Sequence, residues 1–280
     1  MKWQVLKDRV QKAIKNPESP FHGYMFNEAL SLLVRERFIA RAAHSKSRDA
    51  LVFKGGLLLT LVYIPQARYT KDADLNVIGA SDLNTLQRAV DEILAIELDD
   101  GFSFLRNAGA IMSNETREYD GAQFQITAKF GTTQKQQFIL DLAVGDAVIP
   151  VKGKLPTLAE LSASSLEMQI YPPETIAAEK IQACVQLGVD NSRMKDYYDL
   201  YFLRKIVDLE KFKPAAQETF KRRKTPFPGS LPEDQIAGSL LQIRWENFLK
   251  SAQIRVFRSV PNDLGQVMTE IREYYGLKKP

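Results

Sequence analysis

Apolar residues recur at helical spacing in the first part of the chain, between short segments that resemble strands. The spacing predicts a helix over residues 24–43. A short apolar segment at 51–53 is followed by Gly55 and Gly56 and then by a second apolar run over 57–62, which suits a helix. The order strand, turn, helix is therefore expected here.

The next segments predict a mixed sheet. Loose alternation over residues 72–78 indicates a strand, and Ser81 or Asp82 can cap the helix that follows it. Two further apolar runs, 122–130 and 136–144, are separated by a short loop. Their spacing fits an antiparallel hairpin.

After Pro172 and Pro173 the pattern changes to helices. Helical spacing covers four segments: residues 174–187, 195–206, 232–249 and 262–275. We therefore predict an α+β fold, with an α/β domain over residues 1–155 and a helical domain over residues 156–280.

Composition narrows the class of protein. Hydrophobic residues make up 45% of the chain and charged residues 26%, which is typical of a globular protein. The single cysteine, Cys184, excludes an internal disulfide and a cysteine-cluster zinc site. The chain begins without an apolar signal core, and no apolar stretch reaches the roughly 20 residues that cross a bilayer. We expect a cytoplasmic protein without a membrane partner.

The charge balance is mildly positive. The net charge of +4, from 38 Lys and Arg against 34 Asp and Glu, does not by itself indicate a polyanion partner. Positive charge is concentrated at Lys211, Lys213 and residues 221–224. This run fits attraction of RNA phosphates and fits an ordinary solvated loop equally well.

Gly55 and Gly56 lie between a predicted strand and a predicted helix. Free backbone N–H groups and the helix dipole favour an anion at such a turn, and Lys54 adds positive charge. A tight turn also needs glycine for conformational reasons alone, and taken singly that explanation is favoured.

Asp72 and Asp74 are two positions apart on a predicted strand, so their side chains point to the same face. Adjacent carboxylates repel each other unless a cation lies between them, and hard oxygen ligands favour magnesium over zinc. Two solvated acids on a surface loop are the competing interpretation. Leu75 and Val77 indicate instead that this strand enters a core.

Asp141 interrupts the apolar run 138–144, which the pattern indicates is an interior strand. A buried carboxylate without a partner is costly. We predict that Asp141 is a third metal ligand facing Asp72 and Asp74. A salt bridge to an arginine is the competing explanation, and Asp146 is the alternative acid nearby.

Charged residues also interrupt the apolar faces of two predicted helices. Lys180 either reaches solvent or neutralises a ligand phosphate. Asp199 repeats the pattern, and Asp196 lies one turn before it beside Arg193, so a structural ion-pair cluster is a further alternative. The two histidines are isolated from these acids and are interpreted as structural.

Four segments together resemble the AbiEii/AbiGii nucleotidyltransferase toxins, a family that includes the mycobacterial MenT group. The segments are Phe53-Lys54-Gly55-Gly56, Arg68-Tyr69-Thr70-Lys71-Asp72-Ala73-Asp74-Leu75, Ala178-Glu179-Lys180 and Arg193-Met194-Lys195-Asp196-Tyr197-Tyr198-Asp199-Leu200. Their order and joint presence are far more specific than any one motif. Leu57 departs from the family, in which many members have Ser or Thr after the glycines.

The resemblance implies a polymerase-beta-like nucleotidyltransferase fold, in which a mixed sheet with flanking helices is followed by a helical domain that completes the active site. It matches Asp72 and Asp74 to the metal-binding acid pair. The resulting predictions are catalytic roles for Asp72, Asp74, Lys180 and Asp199, nucleotide binding by Lys54, Gly55, Gly56, Arg68 and Asp196, and magnesium binding by Asp72, Asp74 and Asp141.

The function implied by the resemblance is that of a toxin-antitoxin pair. A magnesium-dependent nucleotidyltransferase is expected to transfer NMP from an NTP to an RNA 3′ hydroxyl, at the tRNA acceptor end, and so to block translation. The implied partners are the NTP, tRNA or other RNA, and a cognate antitoxin with a winged-helix domain. Two alternatives stay open: a non-catalytic RNA- or partner-binding protein of the same fold, and an enzyme that modifies a protein or small-molecule hydroxyl.

Overall fold

The computed structural model describes residues 1–65, 68–79, 82–112, 121–131, 134–146, 148–155, 166–231, 239–251, 254 and 259–278, with side chains in the third strand described up to residue 107. The chain forms two compact units. Unit 1 comprises Met1–Gln66, Thr70–Asp146 and Pro150–Tyr171, and unit 2 comprises Ala67–Tyr69, Ala147–Ile149 and Pro172–Pro280.

Unit 1 is built on a mixed sheet. Its strands are β1 (Leu51–Lys54), β2 (Asp72–Val77), β3 (Phe102–Met112), β4 (Gly121–Phe130), β5 (Gln134–Val144), β6 (Val151–Leu155) and β7 (Leu166–Ile170). They form a seven-stranded sheet in the order β3-β4-β5-β2-β1-β7-β6. The neighbours β2 and β5 are parallel, whereas β1 is antiparallel to β2 and β4 is antiparallel to β5. This sheet confirms the predicted hairpin and the predicted α+β class.

Helices flank the sheet of unit 1. They are α1 (Trp3–Lys15), α2 (Phe26–His44), α3 (Gly55–Leu58), which continues as a π-helical turn over Leu59–Tyr63, and α4 (Leu83–Leu94). Helix α2 is buried along most of its length, and its Phe38 contacts the rings of Phe104 and Phe138 with centroids 5.9 and 5.4 Å away. Asp82 caps α4 by accepting a hydrogen bond from the Thr85 backbone N–H, and Ser81 lies outside the described residues.

Unit 2 is mainly helical. Its helices are α5 (Pro173–Leu187), α6 (Met194–Leu203), α7 (Leu209–Arg222), α8 (Leu240–Leu249) and α9 (Leu264–Tyr275). Aromatic side chains make up much of its core: Tyr198 of α6 contacts Trp245 and Phe248 of α8, and Phe212 of α7 contacts Tyr275 of α9. The described residues contain no helix that is both long and apolar enough to cross a membrane.

The structure differs from the sequence prediction in several elements. Helix α7 was not predicted; its buried Phe212, Ala216 and Phe220 recur every four residues, and the basic residues Lys211, Lys213, Lys221 and Arg222 lie on this helix, whereas Lys224 follows it. Strands β3, β6 and β7 were also missed; β6 and β7 have only five residues each, too few for their alternation to stand out in the sequence. Since β7 belongs to the sheet, the sheet extends past the predicted division at residue 155. Residues 232–238 of the predicted third helix lie outside the described residues.

Candidate functional site

Four polar residues form one row across the sheet of unit 1. Lys54 is opposite Asp74 between β1 and β2, Asp74 is opposite Asp141 between β2 and β5, and Asp141 is opposite Gln123 between β5 and β4. Residues opposite each other in a ladder project from the same face, and neighbouring strands are about 4.8 Å apart. The carboxylates of Asp74 and Asp141 are therefore neighbours, and Asp72 lies on the same face.

The position of Asp141 corrects one step of the sequence argument. Strand β5 is interior to the sheet, as predicted, but the buried face carries Phe138, Leu140 and Leu142, while Asp141 is half-buried on the opposite face. Burial thus does not require a ligand at Asp141, because alternating side chains place it away from the core. The predicted role of Asp141 as a metal ligand is supported instead by the register between β2 and β5, which places Asp141 beside Asp74.

Gly55 is required by two features of its surroundings. Its φ of +74° lies in the left-handed region, which favours glycine. An ideal Cβ at this position would also lie 2.1 Å from Asp74 Oδ2. These two features account for a glycine at position 55 even if no ligand binds there. Phosphate binding by Gly55 and Gly56 therefore stays a prediction.

Lys54 is held by Asp146 and Tyr171. Its Nζ donates to a carboxylate oxygen of Asp146 and lies 4.7 Å from the centre of the Tyr171 ring. The Tyr171 hydroxyl donates to the same oxygen of Asp146 at 2.7 Å. Asp146, the alternative acid of the sequence analysis, is therefore an ion-pair partner of Lys54, and a phosphate would have to compete with it for the lysine.

The acid pair has the donor chemistry that magnesium needs. Among the described residues, no group of three or more His, Cys, Asp or Glu side chains is arranged to hold a metal ion. Magnesium usually keeps several waters and takes only one or two carboxylates together with substrate phosphates, so Asp72 and Asp74 fit such an ion. In the described part of the chain, Asn76 Oδ1 is buried and has no hydrogen-bond partner, two residues past Asp74 on the same face. An acceptor there suits a hydrated cation.

Unit 2 holds a buried network of ion pairs. Arg68 binds both oxygens of Asp199, at 2.7 and 2.8 Å. Lys180 Nζ lies 2.6 Å from Asp196 Oδ1 and 2.8 Å from Asp199 Oδ2, and Arg193 Nε lies 2.7 Å from Asp196 Oδ2. The side chains of both aspartates are fully buried. Lys180 therefore does not reach out to solvent, and the ion-pair alternative of the sequence analysis is present.

The network controls the ionisation of its members. Burial opposes ionisation of Asp196, but Lys180 and Arg193 outweigh it and lower the pKa from 3.8 to about 2. Burial likewise opposes ionisation of Asp199, whose pKa is lowered by Arg68 and Lys180. The two carboxylates in turn raise the pKa of Lys180 against the effect of its burial. All three groups are charged at neutral pH.

Two polar residues were not singled out from the sequence. Asn76 continues the two-residue spacing from Asp72 and Asp74, and this signal was present in the chain. Gln123 could not be found that way, because its place beside Asp141 depends on the register between β4 and β5. The roles predicted for Arg68 and Asp196 in nucleotide binding remain predictions, since both are engaged in the ion-pair network.

Comparison with solved structures identifies the fold. The structure is similar to MenT4, a nucleotidyltransferase toxin from Mycobacterium tuberculosis H37Rv, with a TM-score of 0.56 and 14% sequence identity over 98% of this chain and 89% of that chain. A weaker likeness, with a TM-score of 0.47 and 16% identity over 99% and 95% of the two chains, is to a structure from H. pylori described as a nucleotidyltransferase. The first likeness shows that the fold is that of a nucleotidyltransferase toxin.

A family model gives the narrower assignment. The model described as "Nucleotidyl transferase AbiEii toxin, Type IV TA system" matches residues 37–257. The chain therefore belongs to the AbiEii family of nucleotidyltransferase toxins of type IV toxin-antitoxin systems. No curated protein matches the sequence. The matched region contains the row across the sheet and the ion-pair network.

Proposed function

We propose that the chain transfers NMP from an NTP to the 3′ hydroxyl of RNA, at the tRNA acceptor end, in a magnesium-dependent reaction that blocks translation. Membership of the AbiEii family supplies the class of reaction. The observation that supports the chemistry is the register that sets Asp74 of β2 beside Asp141 of β5, with Asp72 on the same face.

Asp72 and Asp74 would hold the magnesium ion. Asp141, opposite Asp74 in the sheet, is proposed as a third carboxylate that would join them only once the ion is bound, since the three side chains do not form a metal-binding group as they stand. Bound there, magnesium supplies positive charge to the triphosphate and lowers the pKa of the attacking hydroxyl. The RNA O3′ forms a bond to the α-phosphorus, the bond to the bridging oxygen breaks, and pyrophosphate leaves, while the hydroxyl proton passes to water. Gly55 leaves room for the Asp74 carboxylate, and Gly55 and Gly56 offer backbone donors to a phosphate.

The ion-pair network of unit 2 supports a role for its residues in binding the nucleotide. It combines three cations, Arg68, Lys180 and Arg193, with the two carboxylates of Asp196 and Asp199. The excess positive charge favours an anion such as a phosphate. We propose that Lys180 neutralises phosphate charge, that Asp199 positions Lys180, and that Arg68 and Asp196 assist nucleotide binding. Lys54 is proposed for the same purpose in unit 1.

Exposed basic residues of α7 support RNA as the acceptor. Lys211, Lys213, Lys221 and Arg222 are exposed on this helix, and Lys224 follows it. Such residues neutralise RNA phosphates without reading sequence. The family also implies an antitoxin partner, and we propose that this partner carries a winged-helix domain.

The acceptor can be tested directly. The protein is incubated with each of the four α-labelled NTPs, magnesium and total tRNA, alongside tRNA whose 3′ diol has been destroyed by periodate. We expect label on intact tRNA with at least one NTP and none on the oxidised tRNA. Label that survives periodate treatment, or that appears on protein, would contradict transfer to the RNA 3′ hydroxyl. Binding of tRNA without label transfer would favour a non-catalytic protein.

A further inference from the structure

Arg35 of α2 holds the chain segment that leads into the acid pair. Its Nη2 donates to the carbonyl oxygen of Thr70 at 2.8 Å, and its Nη1 donates to the carbonyl oxygen of Lys71 at 3.3 Å. Nη1 also donates to Ser31 Oγ at 2.9 Å, within the same helix. Arg35 is 1% exposed, and it precedes the region matched by the family model.

These hydrogen bonds can affect the acid pair because of where their acceptors lie in the chain. Thr70 and Lys71 are the two residues immediately before Asp72, the first residue of β2. From Asp72 to Val77 the strand is fixed by its ladder with β5, but Thr70 and Lys71 precede that ladder. A guanidinium presents several donors in one rigid plane, so it can fix two successive carbonyls in orientation as well as in distance.

Burying this guanidinium opposes folding. A charged group removed from water is destabilising unless it is hydrogen-bonded. Elsewhere on α2, Arg41 is equally buried, and it binds the Asp100 carboxylate through two bonds of 2.9 Å and the Phe102 carbonyl at 2.8 Å. Arg41 thus anchors the start of β3, which carries none of the proposed ligands, whereas Arg35 anchors the start of β2.

We propose that Arg35 is a positioning residue for the acid pair: by fixing the Thr70 and Lys71 carbonyls, it sets the direction in which Asp72 and Asp74 present their carboxylates to a divalent cation. The inference rests on the proposed function only in taking Asp72 and Asp74 as cation ligands. Partners that orient metal ligands from outside the coordination sphere typically change metal affinity about 10- to 100-fold when altered.

The test compares Arg35→Lys with Arg41→Lys. Manganese is titrated into each protein without nucleotide, bound Mn²⁺ is measured by electron paramagnetic resonance, and thermal unfolding is followed in parallel. Both substitutions keep the charge and lose the planar fork, so both lower Tm. We expect Arg35→Lys to weaken Mn²⁺ binding by about 10-fold and Arg41→Lys to leave it at the wild-type value.

Equal Mn²⁺ affinity in Arg35→Lys and wild type would overturn the inference, as would equal weakening in the two variants or wild-type protein that binds no Mn²⁺. If Arg35→Lys does not fold, Ser31→Ala decides, since it removes only the hydroxyl that holds the same guanidinium; unchanged affinity in that variant also overturns the inference. The proposed function fails separately, if wild-type protein binds Mn²⁺ but transfers no nucleotide.

Discussion

The carboxylate of Asp74 lies where a side chain at position 55 would have to begin, since an ideal Cβ on Gly55 would be 2.1 Å from Asp74 Oδ2. The turn after β1 and the acid on β2 are therefore coupled, and a larger residue at 55 must displace the acid or the turn. Gly55 thus contributes to the candidate site by leaving space, whether or not its N–H also binds a phosphate.

The first prediction concerns Gly55→Ala. The new methyl group meets the Asp74 carboxylate, and a displacement of about 1 Å in a catalytic group can lower activity about 100-fold. We expect a loss of this order in nucleotide transfer, measured as kcat. Gly79→Ala is the matched control, because Gly79 has a similar φ of +77° but no described residue comes within 4 Å of its ideal Cβ. Equal activity in the two variants would show that the space beside Asp74 is unimportant.

The second prediction concerns Asp141→Asn, which keeps the shape of the side chain and removes its charge. If Asp141 shares the cation with the acid pair, transfer falls by about 10- to 100-fold, and the variant needs more magnesium for half-maximal rate. The control is Gln123→Leu, on the other side of Asp141 in the same row. Wild-type magnesium dependence in Asp141→Asn would exclude Asp141 as a ligand.

The third prediction tests how much the ion-pair network of unit 2 stabilises the fold. Lys180→Met leaves Asp196 and Asp199 buried, although each retains one arginine. Breaking a buried pair costs about 3–5 kcal/mol, and the retained arginines place the expected loss near 3 kcal/mol in the free energy of unfolding. Lys211→Met, which removes an exposed ion pair with Asp208, is expected to match wild type in urea unfolding. No loss of stability in Lys180→Met would contradict the network.

The fourth prediction concerns the stability of the protein at low pH. The pKa of Asp196 is lowered from 3.8 to about 2 in the folded protein, so its stabilising effect is complete above about pH 5 and is lost as the pH falls through 2 to about 1. At about 1.4 kcal/mol per pKa unit, this amounts to roughly 2 kcal/mol. Between these pH values, wild type should lose about that much more stability than Asp196→Asn, whose side chain does not titrate. Parallel pH profiles of unfolding would contradict the shift.

Much of the fold was predictable because its strongest patterns are local. The 24–43 helix, the hairpin of β4 and β5 and the helices α5, α6 and α9 follow from apolar spacing within one segment. Helix α7 was missed because Pro214 lies inside it, where a proline normally ends a helix, and because few of its residues are buried. The parallel pairing of β7 with β1 joins residues more than 100 positions apart, so no local pattern could predict it.

The candidate site was likewise predictable where its signals are local and not where they depend on pairing between distant residues. The spacing of Asp72 and Asp74 is local and predicts their shared face, whereas the neighbours of Asp74 depend on the registers with β1 and β5. The sequence could not indicate that Asp146 binds Lys54 or that Arg68 binds Asp199, since each pair joins residues far apart in the chain. Arg35 was not singled out, because a helical pattern does not reveal which charged residues are buried.

The central claim is that Asp74 belongs to a magnesium-dependent nucleotidyltransferase site. It is tested most directly by label transfer from an α-labelled NTP to tRNA by wild type, Asp74→Asn and Asp91→Asn, the last altering an exposed ion pair with Arg106 on the same unit. We predict transfer by wild type and Asp91→Asn that stops when magnesium is chelated, and a loss of about 1,000-fold in Asp74→Asn. Equal transfer by Asp74→Asn and wild type, or transfer that persists without a divalent cation, would contradict the account.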